Sequence, residues 1–296
     1  MLPRQRFTLP LPSGPLILGE RTLVMGIVNV TPDSFADGRL RADPVRAVEG
    51  ALAMVEEGAD LVDIGAESTR PGAPPLAERE ELDRLLPVLD GLAGRIRVPV
   101  SVDTYKASVA TAALDRGAAI VNDISGLRFD PALAGVVAAR GAALVLMHHR
   151  GRSADMYEHA RYGDVAGEVV AELAERVAAA EAAGVARDRL LVDPGLGFAK
   201  RAAHSYAALA GLERLRTLGR PILVGPSRKS FIGEALAGAP PTGREWGTAA
   251  AVTASVLFGA HVVRVHGVRE MTEVVRVADR VRAAWEAAAT RPDVPI

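Results

Sequence analysis

Three observations predict that this α/β chain folds as a single (β/α)8 barrel, a TIM barrel, with an N-terminal β-hairpin covering its base. Eight short apolar runs recur from Leu23 onward, each near-continuous in Val, Ile, Leu and Ala and each ending in a polar cluster. Runs of that kind are strands buried on both faces, as in parallel sheets. Between them lie segments with apolar residues at i, i+3, i+4 spacing, the stripe of an amphipathic helix. Finally, Gly58, Gly117, Gly141, Gly184, Gly219 and Gly259 stand at helix-to-strand junctions, where a left-handed cap ends a helix. Eight β-then-α units fill Leu23 to about Ala289 with nothing left over, which favours a closed barrel over its runner-up, an open doubly wound sheet.

In chain order, FTLPLPSGPLILGE alternates apolar and polar residues around Ser13-Gly14, which predicts the hairpin within residues 1–22. The strands then follow in LVMGIVNV, ending at Asn29, ADLVDIGAEST, ending at Glu67 to Thr69, and VPVSVDT, ending at Asp103. The next three are AAIVNDIS around Asn122, AALVLMHH ending at Met147 to His149, and LLVDPGLG at Asp193. PILVGPSRK, ending at Ser227 to Lys229, and HVVRVHG, with Arg264 and His266, complete the eight. Helices are predicted over 43–58, 76–92, 105–117, 131–141, 164–184, 205–219, 244–259 and 269–289. Residues 290–296 carry no periodicity and two prolines, so a loose tail is expected, and one domain over 1–296 accounts for the chain.

Composition narrows the function. Thirty-five Lys+Arg against 36 Asp+Glu leave a net charge of -1, so no global positive field attracts nucleic acid or anionic lipid, and any anion site is local. The absence of cysteine removes disulfides, thiolate nucleophiles and Cys-ligated zinc. Prolines 3, 10, 12 and 15 interrupt the N-terminus and no apolar run reaches eighteen residues, so neither a secretory signal nor a membrane-spanning helix is expected, and a cytoplasmic location is.

Barrels of this topology carry their reactive groups at the C-terminal ends of the strands. Asn29, Asp103, Asn122, Asp193, Lys229, Arg264 and His266 all fall there. Any one of them has an ordinary alternative, such as capping the next helix; seven together point to a site. Arg264 and His266, two apart on the last strand, share a face and suit phosphate oxygens, with a salt bridge from Arg264 to Asp63 or Glu67 as the alternative. Asn29 offers a neutral oxygen to a magnesium ion otherwise held by water and substrate phosphates. Asp103, Asn122 and Asp193 suit a flat heterocycle whose amino group and ring N–H are parallel donors, a pterin or guanine-like edge. Lys229, in SRKS, could reach a ring nitrogen or carbonyl. The loops TPDSF and STRPGA are long and polar enough to act as lids, and GLGFAK reads as a turn at the pocket rim. No P-loop, H-E-x-x-H helix or nucleophile elbow is present.

The stretches MGIVNVTPDSF, GAESTRPGA, SVDTYK, VNDISG, LMHHRG, LLVDPGLGF, VGPSRKSFIG and RVHGV run in that order from Met25 to Val268. Together they make the chain resemble the dihydropteroate synthase family of pterin-binding barrels over nearly its whole length. The resemblance implies a homodimeric transferase of folate biosynthesis and a sulfonamide target. Such an enzyme joins 6-hydroxymethyl-7,8-dihydropterin pyrophosphate to p-aminobenzoate and releases pyrophosphate, the carbon–oxygen bond ionising before the amine attacks. It further implies that Asp103, Asn122, Asp193 and Lys229 bind the pterin, with Met147 among the substrate-binding residues. Asn29, Arg70, Arg264 and His266 would hold the pyrophosphate with magnesium, Asn29 ligating the metal. Thr69, Arg70, Pro71, Phe198, Lys229 and Ser230 would form the p-aminobenzoate region, with Phe35 on the first loop. The chain departs from the family pattern at Ala66, His149, Leu196, Ala199 and Gly267, the last standing where RVHDV has a carboxylate beside the histidine. Two other readings keep the barrel: a pterin-dependent methyltransferase, which needs no pyrophosphate pocket, and a catalytically silent pterin-binding paralogue.

Overall fold

The computed structural model describes residues 2–31, 43–70 and 72–289. Phe35, Pro71 and the 290–296 tail therefore lie outside the described residues. An antiparallel hairpin, β1 (Phe7–Leu9) and β2 (Leu16–Leu18), opens the chain and pairs Phe7 with Leu18. Its turn is closed by the Gly14 N–H donating to the Leu11 carbonyl at 3.0 Å.

Eight parallel strands follow: β3 (Leu23–Asn29), β4 (Leu61–Gly65), β5 (Val100–Asp103), β6 (Ile120–Asp123), β7 (Ala143–Met147), β8 (Leu190–Asp193), β9 (Leu223–Val224) and β10 (Val262–Val265). They hydrogen-bond in the order β8-β7-β6-β5-β4-β3-β10-β9, and a Val192–Ile222 bridge brings β8 against the start of β9. The sheet thus returns on itself as a barrel, and the helices surround it. These are α1 (Pro44–Glu56), α2 (Glu78–Leu92), α3 (Ala107–Leu114), α4 (Leu133–Arg140), α5 (Val165–Ala182), α6 (Ala202–Ala210), α7 (Ser230–Ala235), α8 (Glu245–Leu257) and α9 (Val268–Ala289).

Local chemistry sets the boundaries. Asp43 caps α1, accepting from the Val45 and Arg46 N–H groups at 3.0 and 3.3 Å with Pro44 at the first helical position. Asp164 caps α5 in the same way. All six junction glycines have positive φ, as expected, and Gly141 is a left-handed cap at the end of α4.

Two helical expectations change. The single helix predicted over 205–219 is α6 followed by a 3-10 segment, Leu212–Leu218, joined at Gly211. A Cβ at Gly211 would lie 2.5 Å from the Ala166 Cβ, so close approach to α5 requires glycine at that join. One short helix, α7, was not legible, because its six residues span less than two turns and show no stripe.

Strand alternation then sorts the core into two shells. Residues such as Val24, Val62, Ile64, Val121 and Val263 face outward and pack with helix residues. Their neighbours Leu23, Met25, Leu61, Ile120, Val145, Leu191, Leu223 and Val262 face the lumen, in one cluster with Leu9, Leu11 and Leu18 of the hairpin segment. Leu9 and Leu18 are fully buried, so the hairpin plugs the barrel at the N-terminal ends of its strands.

Candidate active site

Two residues further along the same lumen-facing columns the chemistry changes. Leu61 gives way to Asp63, Ser101 to Asp103, Ile120 to Asn122, Leu191 to Asp193 and Val262 to Arg264. These side chains meet. The Arg264 guanidinium bridges two carboxylates, its Nε donating to Asp63 at 2.6 Å and its Nη2 to Asp103 at 2.8 Å. The Asn122 amide donates to the same Asp63 oxygen at 2.9 Å. The other Asp63 oxygen is buried and has no hydrogen-bond partner. Burial, and then the neighbouring Asp63 charge, push the Asp103 carboxyl up against the pull of Arg264.

Asp193, at the end of β8, is also pushed up by burial, while the Lys229 ammonium draws it down. Lys229 is itself pulled down to about 8 by burial, against the attraction of Asp193. Its Nζ donates to the Leu196 carbonyl at 2.5 Å and sits 4.1 Å from the centre of the Phe198 ring. Both contacts come from the turn after β8, where Gly195 and Gly197 have φ of 66° and 79°. A side chain at Gly195 would strike the His148 carbonyl, its Cβ only 2.1 Å away. Met147 ends β7 beside Asp193 in register and is buried.

The other wall is cationic. His266 is pulled down to about 3 by burial and then by Arg228, Arg264, Arg70 and Lys229, so the imidazole is neutral. Ser227 fixes the ring, its Oγ lying 2.9 Å from Nδ1 and accepting from the His266 N–H at 3.2 Å. Four positive side chains thus lie near a neutral histidine on a chain of near-zero net charge, Arg228 being paired with Glu245 and Arg264 with Asp63 and Asp103. Asn29 ends β3 in register with Gly65, Thr69 is half-buried after β4, Arg70 is exposed, and Ser230 begins α7.

Sequence spacing assigned Arg264 to an anion-binding half and the carboxylates to a heterocycle-binding half. The structure joins the halves through Arg264, using the Asp63 partner that spacing offered as an alternative. Glu67, the other alternative, instead accepts from Lys106 Nζ at 2.5 Å and from the Tyr105 hydroxyl at 3.0 Å. Lys106 also pairs with Glu81 and donates to the Leu76 carbonyl, tying both ends of the loop that carries Thr69 and Arg70. Lys106, Arg228 and Lys200 had no role assigned from sequence, and Asp63 entered only as a possible partner of Arg264. For Lys106 and Lys200 a signal was present: of 35 basic residues only three are lysines, Lys106, Lys200 and Lys229, and all three lie at this end of the barrel.

Residues 25–266 match the family model described as pterin binding enzyme, nearly the whole span of the barrel. The chain belongs to the pterin-binding enzyme family. It is 51% identical over 268 residues to the dihydropteroate synthase of Mycobacterium leprae, covering 88% of this chain and 93% of that one. Among solved structures, a Xanthomonas albilineans dihydropteroate synthase with 4-aminobenzoic acid superposes with a TM-score of 0.86 at 42% identity, covering 97% of this chain and all of that one. A Burkholderia cenocepacia dihydropteroate synthase complexed with 7,8-dihydropteroate superposes at 0.84, with 41% identity over 95% and 98% of the two chains. No helix among the described residues is long and apolar enough to cross a membrane. Pterin-binding relatives of this kind share the whole barrel with the chain, so the resemblance read from its motifs extends to the fold.

Proposed function

We propose that the chain is a dihydropteroate synthase, condensing 6-hydroxymethyl-7,8-dihydropterin pyrophosphate with p-aminobenzoate to give 7,8-dihydropteroate and pyrophosphate. The observation that carries this is the meeting, in one barrel mouth, of a buried carboxylate–amide floor and a cationic wall, joined by Arg264. Asp193, Asn122 and Asp103 offer acceptors and a donor to the edge of a flat bicycle, and Lys229 a donor to its ring. Arg264, Arg70 and His266 face the diphosphate.

The carbon–oxygen bond breaks with its electron pair leaving on the diphosphate, and the pterin ring delocalises the positive charge left on the methylene carbon. The amine of p-aminobenzoate then bonds to that carbon and releases a proton to solvent. Cations fixed beforehand around the departing oxygens stabilise the charge that develops there, and the chain needs no nucleophile of its own. Thr69, Arg70, Pro71, Phe198, Lys229 and Ser230 form the p-aminobenzoate region in this reading, with Phe35 on the first loop.

Magnesium fits as a group shared with the substrate. The neutral Asn29 oxygen at the end of β3 would hold the ion together with the substrate diphosphate and water. When bound, the ion neutralises charge on the leaving group. A homodimer in the cytoplasm completes the proposal, the assembly being checked by sedimentation.

Incubating the protein with magnesium, pterin pyrophosphate and p-aminobenzoate is expected to yield dihydropteroate and pyrophosphate in equal amounts. No product at any enzyme concentration overturns the assignment. A sulfonamide is expected to compete with p-aminobenzoate and not with the pterin pyrophosphate; competition with the latter overturns the placement of the p-aminobenzoate region.

A further inference from the structure

A lysine buried to the last few per cent of its surface stands behind the site, and the proposed chemistry makes no use of it. Lys200 is 1% exposed. An ammonium placed there loses its hydration and is tolerated only when each N–H finds a partner and a counter-charge lies within reach. Both conditions are met. Nζ donates to the Gly195 carbonyl at 3.2 Å and to the Phe198 carbonyl at 3.1 Å, and lies 2.8 Å from His148 Nδ1. The far nitrogen of that imidazole, Nε2, lies 3.4 Å from the Glu172 carboxylate, an electrostatic contact rather than a hydrogen bond. A carboxylate at that position favours the proton on Nε2, which leaves Nδ1 as an acceptor and completes three acceptors for three ammonium hydrogens. Arg150 holds Glu172 in turn, its Nε donating to Oε1 at 2.8 Å.

The carbonyls that Lys200 holds belong to the turn on which Lys229 rests. Leu196, between Gly195 and Phe198, supplies the carbonyl that receives Lys229 Nζ, and Phe198 supplies the ring beneath it. The two lysines thus grip one five-residue turn, Lys200 from beneath and Lys229 from the mouth. Arginine serves almost everywhere else on this chain. Its planar fork cannot place three divergent donors around one atom, as an ammonium does.

We propose that Lys200, oriented through His148 by Glu172, is a positioning residue that fixes the Gly195–Ala199 turn and thereby the place of the Lys229 ammonium in the site. The proposal rests on the synthase reading for its kinetic consequences, but not for its structural one. Burial draws Lys200 down to about 7, with Asp193 opposing and Lys229 and Arg150 assisting, so its hold on the turn rests on a charge the fold only partly favours.

The test uses the full chain labelled with 13C and 15N in lysine. Because the chain has only three lysines, only three side-chain signals arise, and Lys229→Arg identifies one of them. Lys200→Met keeps the apolar stem and removes the donors. It is expected to displace or broaden the Lys229 signal and to lower kcat/KM for the pterin pyrophosphate by about ten- to a hundredfold, in protein held well below its melting temperature. His148→Leu, which cuts the link to Glu172, is expected to do the same more weakly. His148→Gln, whose amide can accept from Lys200 and donate to Glu172, is expected to restore both readouts to within about twofold.

A Lys229 signal and KM values unchanged in Lys200→Met and His148→Leu, with only the melting temperature lowered, overturn the proposal. Should Lys200→Met fail to fold, His148→Leu against His148→Gln decides by the same criteria. A wild-type protein without synthase activity sinks the functional reading alone, because the Lys229 signal still reports the positioning.

Discussion

The two ends of this barrel are built by the same strands with the same alternation, and they are opposites. At the base the lumen-facing residues are Leu23, Leu61, Ile120, Leu191, Leu223 and Val262, sealed by Leu9 and Leu18 of the hairpin. One step up the same columns stand Asp63, Asn122, Asp193 and Arg264. An apolar layer closed by a plug is stabilised by burial alone. A charged layer is tolerable only when each group has a partner, and Arg264 between two carboxylates is such an arrangement. The base therefore holds the fold and the mouth holds the chemistry, so damage to each should appear in different measurements.

The largest effect is expected from Arg264→Ala. Removing one member of a buried ion pair costs about 3–5 kcal/mol of folding stability, and removing a donor aimed at the charge developing on the diphosphate should lower kcat/KM by roughly a hundred- to a thousandfold. Because Arg264 touches the carboxylate floor as well as facing the diphosphate, binding of a pterin without diphosphate should weaken too. Unchanged pterin binding would return Arg264 to a purely anion-binding role. Asp193→Asn should follow, weakening pterin binding by about tenfold to a hundredfold through loss of a charge-assisted hydrogen bond of roughly 1.5–3 kcal/mol. Calorimetry with the pterin alone checks both.

Leu18→Ala sharpens the comparison from the other end. A buried Leu→Ala change costs about 2–5 kcal/mol, so the melting temperature should drop while KM values at a permissive temperature stay within about twofold. A selective rise in KM would show that the plug communicates with the mouth.

The pH dependences divide similarly. Lys229 loses its proton near 8 in the free protein, so if its charged form binds the ring, kcat/KM for the pterin pyrophosphate should fall as pH rises through about 8. A profile flat to pH 9.5 would remove Lys229 from that role. His261 at the base is held neutral, its Nδ1 accepting from the Ile222 N–H at 3.0 Å, and burial pulls it down to about 4. Its ordinary value is 6.5, so the unfolded chain takes up this proton first as pH falls. The stability it contributes is whole above about 6.5 and is lost between there and about 4. Protein carrying His261→Gln should show a shallower loss of melting temperature across that window.

The smallest effect is expected where the chain departs from the family pattern. A Cβ at Gly267 would lie 3.0 Å from one Glu270 carboxylate oxygen, the movable end of a flexible side chain. Gly267→Asp should therefore fold, at a cost of about 1 kcal/mol or less from like charges. It should raise the His266 titration by about one unit in proton NMR, with little change in turnover.

Much of this was legible in sequence because it depends on local patterns. Apolar runs, helical stripes and junction glycines located eight strands and most helices, since burial on both faces leaves nearly unbroken Val, Leu and Ile. The polar residues ending those runs named Asp103, Asn122, Asp193, Lys229, Arg264 and His266, since a barrel of this topology puts strand ends at one mouth. Spacing could not say which of them touch. Asp63 and Arg264 are 201 residues apart, and their ion pair exists only because β4 and β10 face one lumen. Lys200 was hidden for the same reason, as its partners His148 and Glu172 come from the end of β7 and from α5. Sequence determined the elements and the types of group available, because those follow from neighbours along the chain. Tertiary closure decided which charges neutralise one another and which ammonium supports which turn, because Coulomb and hydrogen-bond energies depend on separations through space that no linear spacing encodes.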